Sequence, residues 1–242
     1  MKHQHSILQG GLTSLLVLLS LSKAWAGSDE TITSDSISFW GILLLAFFFV
    51  LLVPSFLYAH VQQNIKVRRT MITLQNLAAV NSSFDWVLIK NRVTDIFVRT
   101  HRAWSHEDME EISSFSSTWY WQNQQMVFID RWHNRGLVNR SEVQSINNIT
   151  PLFVRHSGLP QAESSILVVG INANQEDYLM QRETGKLVEG KKGFHNMDTL
   201  WTFRLHKGEW LLDNIEHVEF WPTYVRIPNE VPDSAMQTDS MR

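Results

Sequence analysis

The chain begins with two apolar stretches that differ in length and in the residues that flank them. The first follows a short polar start and precedes Ala24-Trp25-Ala26, the small-x-small pattern of a signal-peptidase site. This pattern predicts a signal peptide over residues 1–26, cleaved before Gly27, and a short external segment over residues 27–36. Because Lys23 lies between the apolar core and the cleavage site, an uncleaved anchor stays open as the alternative.

The second apolar stretch, residues 37–59, contains 23 consecutive residues without a charge. As a helix it would be about 34 Å long at about 1.5 Å per residue, which exceeds a hydrocarbon core of about 30 Å. It is rich in Leu, Ile, Phe and Val, each of which favours insertion at the helix centre. We therefore expect one transmembrane helix, with the rings of Trp40 and Tyr58 near its two ends.

The charges on either side of this span predict its orientation. Acidic residues precede the span, whereas basic residues follow it closely, and basic flanks stay inside the cell. The expected location is therefore the bacterial inner membrane, single-pass, with the residues beyond 60 in the cytoplasm whether or not the signal is cleaved. The basic cluster is also a candidate membrane-surface contact for anionic lipid. It consists of Lys66, Arg68 and Arg69.

After the span, the apolar residues follow helical spacing. Residues 60–82 carry scattered apolar positions among Gln, Asn and Arg, which indicates a juxtamembrane stalk. A capping box at Ser82-Ser83-Phe84-Asp85 predicts the start of a long helix, and Ser105-His106-Glu107-Asp108 predicts a second, short helix. A third helix is expected over residues 117–135 and ends at Gly136, which suits the left-handed position after a helix.

Beyond Gly136 the apolar period shortens to two, which is typical of strands. Lys207-Gly208 predicts a hairpin turn, and Thr184-Gly185-Lys186 predicts another, since it lacks the upstream glycine and the following helix of a phosphate loop. Residues 225–242 are polar and interrupted by prolines, and we predict a disordered tail there. The predicted strands cover residues 143–154, 165–178, 198–205 and 210–220.

Three helices followed by a four-strand meander predict an α+β domain over residues 83–224, with helices laid across one face of an antiparallel sheet. The hairpin aromatics are expected to meet those of the third helix. A strongly curved sheet would enclose a half-filled cone, whereas a flatter one would give a solid core, and the pattern leaves both open. The aromatic side chains are accordingly either core or a hydrophobic pocket. They are Trp119, Trp121, Trp132, Phe194, Trp201, Phe203 and Trp210.

Composition narrows the classes of function. A net charge of −3 gives no basic field of the kind that nucleic acid requires, so no nucleic-acid partner is expected. The chain has no cysteine, which excludes disulfides, thiolate nucleophiles and cysteine-ligated metals. His101 and His106 stand five positions apart, which is not the spacing of two ligands on one helix face. We therefore expect no metal and no cofactor.

Several motifs together are similar to those of a known family. They are EDYLMQRETGKLVEG at residues 176–190, WTFR at residues 201–204 and WLLDNI at residues 210–215. This set resembles the bacterial membrane-anchored relatives of the C-terminal domain of mitochondrial inner-membrane translocase subunit forty-four, the Tim44-like domain, over roughly residues 84–220. The resemblance implies a fold like that of nuclear transport factor two, a helix-backed curved sheet with a pocket.

The resemblance also implies a function at a membrane. The family's mitochondrial domain contacts lipid and helps to tether a heat-shock chaperone to a protein-conducting channel. This chain lacks a counterpart of the long charged N-terminal region that carries much of the chaperone and channel contact. The expected function is therefore a membrane-tethered protein- or lipid-binding adaptor on the cytoplasmic face, without catalysis. Its expected partners are membrane lipid and an unidentified membrane or chaperone protein, and its oligomeric state stays open.

Two alternatives remain at this point. One is a small-ligand or isomerase- or dehydratase-type cone, for which strand residues supply the candidate acids and bases. These are Asp177, Tyr178, Asp198 and His217. The other is an inner-membrane scaffold of a secretion system, which would place the domain in the periplasm.

Overall fold

A computed structural model describes residues 36–216 and 218–235, so the predicted signal peptide lies outside the described residues. The structure divides into two units, Met1–Leu57 and Tyr58–Arg242. Helix α1, Ser36–Ala78, begins in the first unit and ends in the second. In the first unit, the side chains described from residue 41 onward are exposed. By length and composition this helix is able to cross a membrane, with a mean hydropathy of 2.6 in its apolar part.

In the second unit, the end of α1 belongs to the packed domain. Its buried side chains recur every three or four residues, which places Lys66, Thr70, Leu74 and Leu77 on one face of the helix. Leu74 and Leu77 join the main hydrophobic core. Much of the segment expected to form a stalk over residues 60–82 is therefore a helix packed against the domain.

Helix α2, Trp86–His106, supplies a long apolar face of the helical layer. The residues of the expected capping box act differently from the prediction. Ser82–Phe84 forms a 3-10 turn, and the Asp85 carboxylate is itself the N-cap, accepting hydrogen bonds from the backbone N–H groups of Val87 and Leu88 at 2.8 and 3.1 Å. The buried face of α2 consists of Ile89, Val93, Ile96, Phe97, Thr100, His101 and Ala103.

The second predicted helix is a single 3-10 turn, Met109–Ile112. Asp108 begins this turn by accepting a hydrogen bond from the Glu110 N–H at 3.0 Å. Ser105, which belongs to the same predicted capping motif, lies within α2 instead, and its hydroxyl donates to the backbone oxygen of Ser141 at 2.6 Å.

The third predicted helix is present as one continuous helical stretch, with a local widening that the pattern does not reveal. It consists of α3 (Thr118–Gln124), a π turn (Gln125–Ile129) and α4 (Asp130–Asn134). Gly136 follows it with φ of 64°, the left-handed conformation expected after a helix.

Four antiparallel strands form one open sheet in the order β1-β2-β3-β4, which confirms the predicted α+β meander. β1 and β3 begin well before the predicted residues 143 and 198. Their first parts contain many polar residues, and that of β3 also contains Gly190 and Gly193, so they show little apolar alternation. They nevertheless pair with β2. The strands are β1 (Leu137–Arg155), β2 (Ile166–Gln181), β3 (Leu187–His206) and β4 (Glu209–Glu216).

Both predicted hairpin turns are confirmed. Lys207 and Gly208 have φ of 50° and 82°, so both central positions are left-handed, as a two-residue hairpin of this twist requires. Gly185, with φ of 66°, lies in the turn between β2 and β3.

The aromatic side chains of the β3–β4 hairpin pack into the core against α2 and the turn that precedes it. The ring centroids of Trp201 and Phe97 lie 4.9 Å apart, and Trp210 packs edge-on against Phe84 at 5.6 Å. Trp201 is 1% exposed. These ring contacts are with α2 and the turn, and the third-helix residues Trp121 and Trp132 pack against the same core cluster.

Helix α5, Trp221–Arg226, lies on the outer face of the sheet. The ring of Trp221 covers Gly170, where an added Cβ atom would overlap the indole. The Tyr224 hydroxyl donates to the carboxylate of Glu216 at 2.9 Å. Gly170 is thus the position at which the sheet leaves room for this helix.

The prediction of a disordered tail from residue 225 is wrong as far as residue 235. This segment pairs with the edge of β1, where the Glu230 N–H donates to the Val154 oxygen at 3.0 Å. Val231 and Ala235 pack against the core. Much of this segment is held by polar and backbone contacts. The prediction used apolar periodicity, which does not detect contacts of this kind. Residues 236–242 of the predicted tail lie outside the described residues.

Candidate functional site

A groove of about 640 Å³ lies on the second unit beyond the C-terminal end of α1. We call it the distal groove. It is formed by the loop after α1, the loop between β1 and β2, the turn of the β3–β4 hairpin and the segment around residue 235. Its lining includes Leu77, Val80, Phe84, His156, Leu159 and Lys207.

Backbone strain is concentrated at this groove. Gln161 and Ala162 line it and have φ of 54° and 57°, and Ser164 follows with φ of 64°. Left-handed backbone at a residue other than glycine costs of the order of 1–3 kcal/mol, and such strain clusters at binding sites. The loop over residues 161–164 therefore makes the distal groove a candidate functional site.

The surface of the distal groove is mostly apolar and carries little charge. Val80 and Leu159 are 54% and 52% exposed, although both are large apolar side chains. His156 stacks on Phe84 with ring centroids 5.6 Å apart, and partial burial lowers the pKa of this histidine. Lys207 is the one cation among the described lining residues, and its backbone N–H donates to the carboxylate of the neighbouring Glu163 at 2.9 Å. The groove thus suits an apolar segment.

A second groove, of about 450 Å³, lies between α1 and residues 225–229, which comprise the end of α5 and the segment that follows it. We call it the juxtamembrane groove, since Gln62 in its lining stands three residues after the predicted end of the span. Its lining includes Ile65, Lys66, Arg69, Val225, Arg226 and Asn229.

Lys66 is buried at this groove, and the prediction that it lies on the membrane-facing surface is wrong. The side chain is 5% exposed, and its Nζ donates to the Ile227 oxygen at 2.7 Å and to Asn229 Oδ1 at 2.9 Å. Burial, and secondly the charge of Arg69, lower the pKa of Lys66 to about 8. Arg68 and Arg69 are exposed, and of these two only Arg69 lines the groove.

The seven aromatic residues of the predicted pocket do not come together around one cavity. Three are buried in the core, two are partly buried against it, and two are exposed, with Trp119 at 62% and Phe194 at 41%. None of the seven lines either groove. The core interpretation therefore applies to the hairpin residues Trp201, Phe203 and Trp210.

A buried histidine lies among these core aromatics. His101 Nδ1 lies 2.6 Å from the Ser141 hydroxyl, and its ring is 4.5 Å from that of Phe97. Burial lowers the pKa of His101 to about 3, so the ring is neutral at pH 7. No group of three or more His, Asp or Glu side chains in the described ranges is placed to hold a metal ion.

The residues proposed as candidate acids and bases occupy different surroundings. Burial raises the pKa of Asp177, and a hydrogen bond from the Asn139 side chain opposes this shift. Asp198 is exposed and accepts a hydrogen bond from Asn172 at 2.8 Å. Lys192 lies over the ring of Tyr178 at 5.7 Å. His217 lies outside the described residues.

The sequence marked Lys66 and Arg69 of the juxtamembrane groove as candidates, but it did not mark Val80, Leu159 or Arg226. Val80 and Leu159 are isolated apolar residues in loops, and Arg226 lies within the predicted tail. They join other lining residues only through the path of the chain, so no local pattern marks them.

Comparison with known families identifies the domain. The family model for the Tim44-like domain matches residues 71–217, which is more than half of the chain. The chain belongs to the Tim44-like domain family. The Tim44-like match begins within α1 and extends to the end of β4, so it includes the helical layer and the whole sheet. Together with one apolar N-terminal helix, this membership fits a membrane-anchored protein.

Among solved structures, the crystal structure of the intermembrane space region of the chloroplast protein ARC6 is similar at 11% sequence identity. The similarity covers 50% of this chain and 90% of that chain, with a TM-score of 0.33. Comparison with curated protein sequences gives no match.

Proposed function

We propose that this protein is a membrane-anchored adaptor whose Tim44-like domain binds a protein partner on the cytoplasmic face of the bacterial inner membrane. One observation supports it above all: a helix whose uncharged apolar stretch is long enough to cross a membrane continues into a domain of a family with a membrane-associated protein-binding role. A domain joined in this way stays close to the bilayer, where its partners are concentrated.

The charges that flank the span support the cytoplasmic placement. Lys66, Arg68 and Arg69 follow the span, whereas acidic residues precede it. Lys66 is buried in the folded domain, but orientation is set during insertion, when the side chain is still exposed. The burial of Lys66 in the folded domain is therefore compatible with the orientation that the flanking charges predict.

The fold that we propose for the domain is the cone of the nuclear transport factor two type. Bulges support it, because each of the three strand pairings contains at least one register shift, and bulges bend and twist the strands that carry them. Helix α2 lies across the inner face of this sheet through contacts such as that of Phe97 with Trp201.

The surface that we assign to the protein partner is the distal groove. Val80 and Leu159 expose large apolar side chains there. We therefore assign to it an apolar segment of the partner. From Gln62 to Leu77 the helix rises by about 22 Å at about 1.5 Å per residue, which separates this surface from the start of the juxtamembrane groove.

Site-specific photocrosslinking in membranes tests this assignment. A photoreactive amino acid replaces Val80 or Leu159 in the full chain, and Val98, which is 44% exposed on α2 and lies outside the groove, is the matched control. The proposal predicts one adduct of the same mass from both groove positions and none from Val98. It also predicts loss of the adduct at position 80 when Leu159→Asp is introduced. Equal adducts from all three positions, or an adduct that Leu159→Asp leaves unchanged, would contradict the assignment.

A further inference from the structure

One part of β3 lies at the side of the sheet without a neighbouring strand. β4 pairs with β3 only from Leu200 to His206, so residues 187–199 pair with β2 on one side alone. No strand or isolated bridge within residues 36–216 and 218–235 pairs with their second side. We call residues 187–199 the open edge. A strand edge of this kind presents backbone N–H and C=O groups to which another chain can add a strand.

The open edge also exposes apolar side chains. Leu187 and Val188 are 42% and 50% exposed, and Phe194 is exposed as well. None of the three lines the distal or the juxtamembrane groove. Exposed edges with large apolar side chains tend to pair with other chains, and natural proteins often block them with bulges, prolines or lysines.

Bulges are present in the open edge, but they leave a regular stretch between them. Register shifts interrupt the pairing with β2 at Val188 and across residues 192–194. Between these shifts, residues 189–191 pair in unbroken order with residues 177–179 of β2. Residues 189–191 are therefore the part of the open edge along which a further strand can align.

The charges of this stretch are complementary to those of a second copy. In an antiparallel strand pair related by a two-fold axis, one residue lies opposite its own copy, and its two neighbours lie opposite each other. A pair centred on Gly190 places Glu189 of each copy opposite Lys191 of the other. Centring the pair on Glu189 or on Lys191 would place like charges opposite each other, which is destabilising.

The side chains of Glu189 and Lys191 are available for this pairing. Both are exposed, and neither takes part in an ion pair in the part of the chain that the structure describes. Gly190 between them has φ of 83°, and a Cβ atom there would lie 2.6 Å from the Asp177 oxygen. The centre of the stretch therefore carries no side chain, which allows a second backbone to approach closely.

We propose that the open edge pairs with the open edge of a second copy of this chain, antiparallel and centred on Gly190, so that the two sheets become continuous. Glu189 and Lys191 form two symmetry-related ion pairs, and Leu187 and Val188 add apolar contact beside them. The contact is short. Anchoring of both copies in one membrane, which is part of the proposed function, raises their effective concentration.

Cysteine crosslinking in membranes tests this register, because the chain has no cysteine of its own. Two full chains with different tags are co-expressed, one with Glu189→Cys and the other with Lys191→Cys, and the isolated membranes are oxidised. Opposite positions have Cβ atoms about 4.5–5.5 Å apart, which a small adjustment brings within disulfide reach, whereas the two copies of either position are about 7–8 Å apart.

We expect a disulfide-linked dimer that carries both tags and is at least fivefold more abundant than the dimer formed by either variant alone. The mixed dimer also retains one of the two ion pairs, which favours its formation. Equal yields from the three combinations, or the absence of a linked dimer with both tags, would overturn the proposed register.

Charge reversal provides a second test, read as co-capture of two differently tagged copies in a neutral detergent. Glu189→Lys and Lys191→Glu should each lower co-capture at least fivefold, because each places like charges opposite each other. The double variant restores unlike pairs and should return co-capture to within twofold of the unaltered chain. Glu183→Lys, exposed in the turn before β3, is the matched control and should leave co-capture unchanged. A double variant no better than the single ones, or an equal loss in Glu183→Lys, would overturn the proposal.

A carbonate wash separates this proposal from the proposed function. If washed membranes retain the chain but give no linked dimer with both tags, the paired edge is wrong and the anchoring stands. If the wash releases a chain that still forms this dimer, the anchoring fails and the paired edge stands.

Discussion

The ammonium group of Lys66 lies 2.9 Å from the side-chain oxygen of Asn229, which stands 163 residues further along the chain. The same amide oxygen lies 3.2 Å from the Val154 nitrogen at the edge of β1. One side chain therefore joins α1, the sheet and the C-terminal segment. This contact explains why a segment with a polar, proline-containing sequence is ordered.

Replacing Asn229 tests the importance of this contact. Asn229→Ala removes hydrogen bonds to Lys66, Thr70 and Thr73 and leaves a buried lysine with one protein partner fewer. Each loss of this kind costs roughly 1–3 kcal/mol, so we expect a clearly lower Tm and faster tryptic cleavage after Arg226. Asn91→Ala, on an exposed position of α2, is the control and should change neither quantity. Normal protease resistance in Asn229→Ala would show that other contacts hold the segment.

The buried His101 predicts a dependence of stability on pH. Its pKa is about 3 in the folded chain and about 6.5 when exposed, so between these values the unfolded chain binds a proton that the folded chain excludes. Stability should therefore fall as pH is lowered below 6.5, with a slope that approaches about 1.4 kcal/mol per pH unit for one proton.

Chemical denaturation at pH 7.0, 6.0 and 5.0 measures this slope. His101→Gln has no imidazole to titrate and should give a flatter profile, whatever its absolute stability. The contrast is between the slopes, so a general loss of stability in the variant does not affect the comparison. Identical slopes in both proteins would show that His101 is not the group responsible.

Gly170 provides a test of the position of α5. A Cβ atom at this residue would overlap the indole of Trp221, so Gly170→Ala should displace the helix and lower stability by about 1–3 kcal/mol. Trp221→Ala removes the obstructing ring. Because the two residues are in contact, the double variant should lose less than the sum of the two single losses. Additive losses in unfolding experiments would contradict this packing.

The aromatic residues differ sharply in their expected contribution to stability. Trp201→Ala removes a side chain that is 1% exposed and should cost about 3–5 kcal/mol. Trp119→Ala removes one that is 62% exposed and should change the free energy of unfolding by less than about 0.5 kcal/mol. Urea titration of both variants is the measurement. Similar losses of stability in the two variants would contradict this difference and support a cavity shared by Trp119 and Trp201.

Local patterns predicted the parts of this fold that depend on local chemistry. The strand alternation around Trp201, the Lys207-Gly208 turn and the helix that ends at Gly136 each depend on neighbouring residues, and each is present. The family was also recognisable, because its motifs lie in continuous stretches of β2, β3 and β4.

What the sequence did not reveal depends on contacts between distant segments. In the sequence, Lys66 belongs to a cluster of basic residues. Its burial becomes visible only in the structure, where residues 225–229 fold around it. The distal groove is likewise a product of topology, since Val80 and Leu159 come from different loops. Single positions of this kind give no periodic signal, so neither groove was predictable.

Protease accessibility from the two sides of the membrane tests the central claim most directly. The full chain is placed in right-side-out spheroplasts and in inverted inner-membrane vesicles, protease is added, and a C-terminal tag reports the survival of the domain. The proposed function predicts an intact domain in spheroplasts and a degraded one in inverted vesicles. Degradation in intact spheroplasts, with survival in inverted vesicles, would place the domain in the periplasm and contradict a cytoplasmic membrane-anchored adaptor.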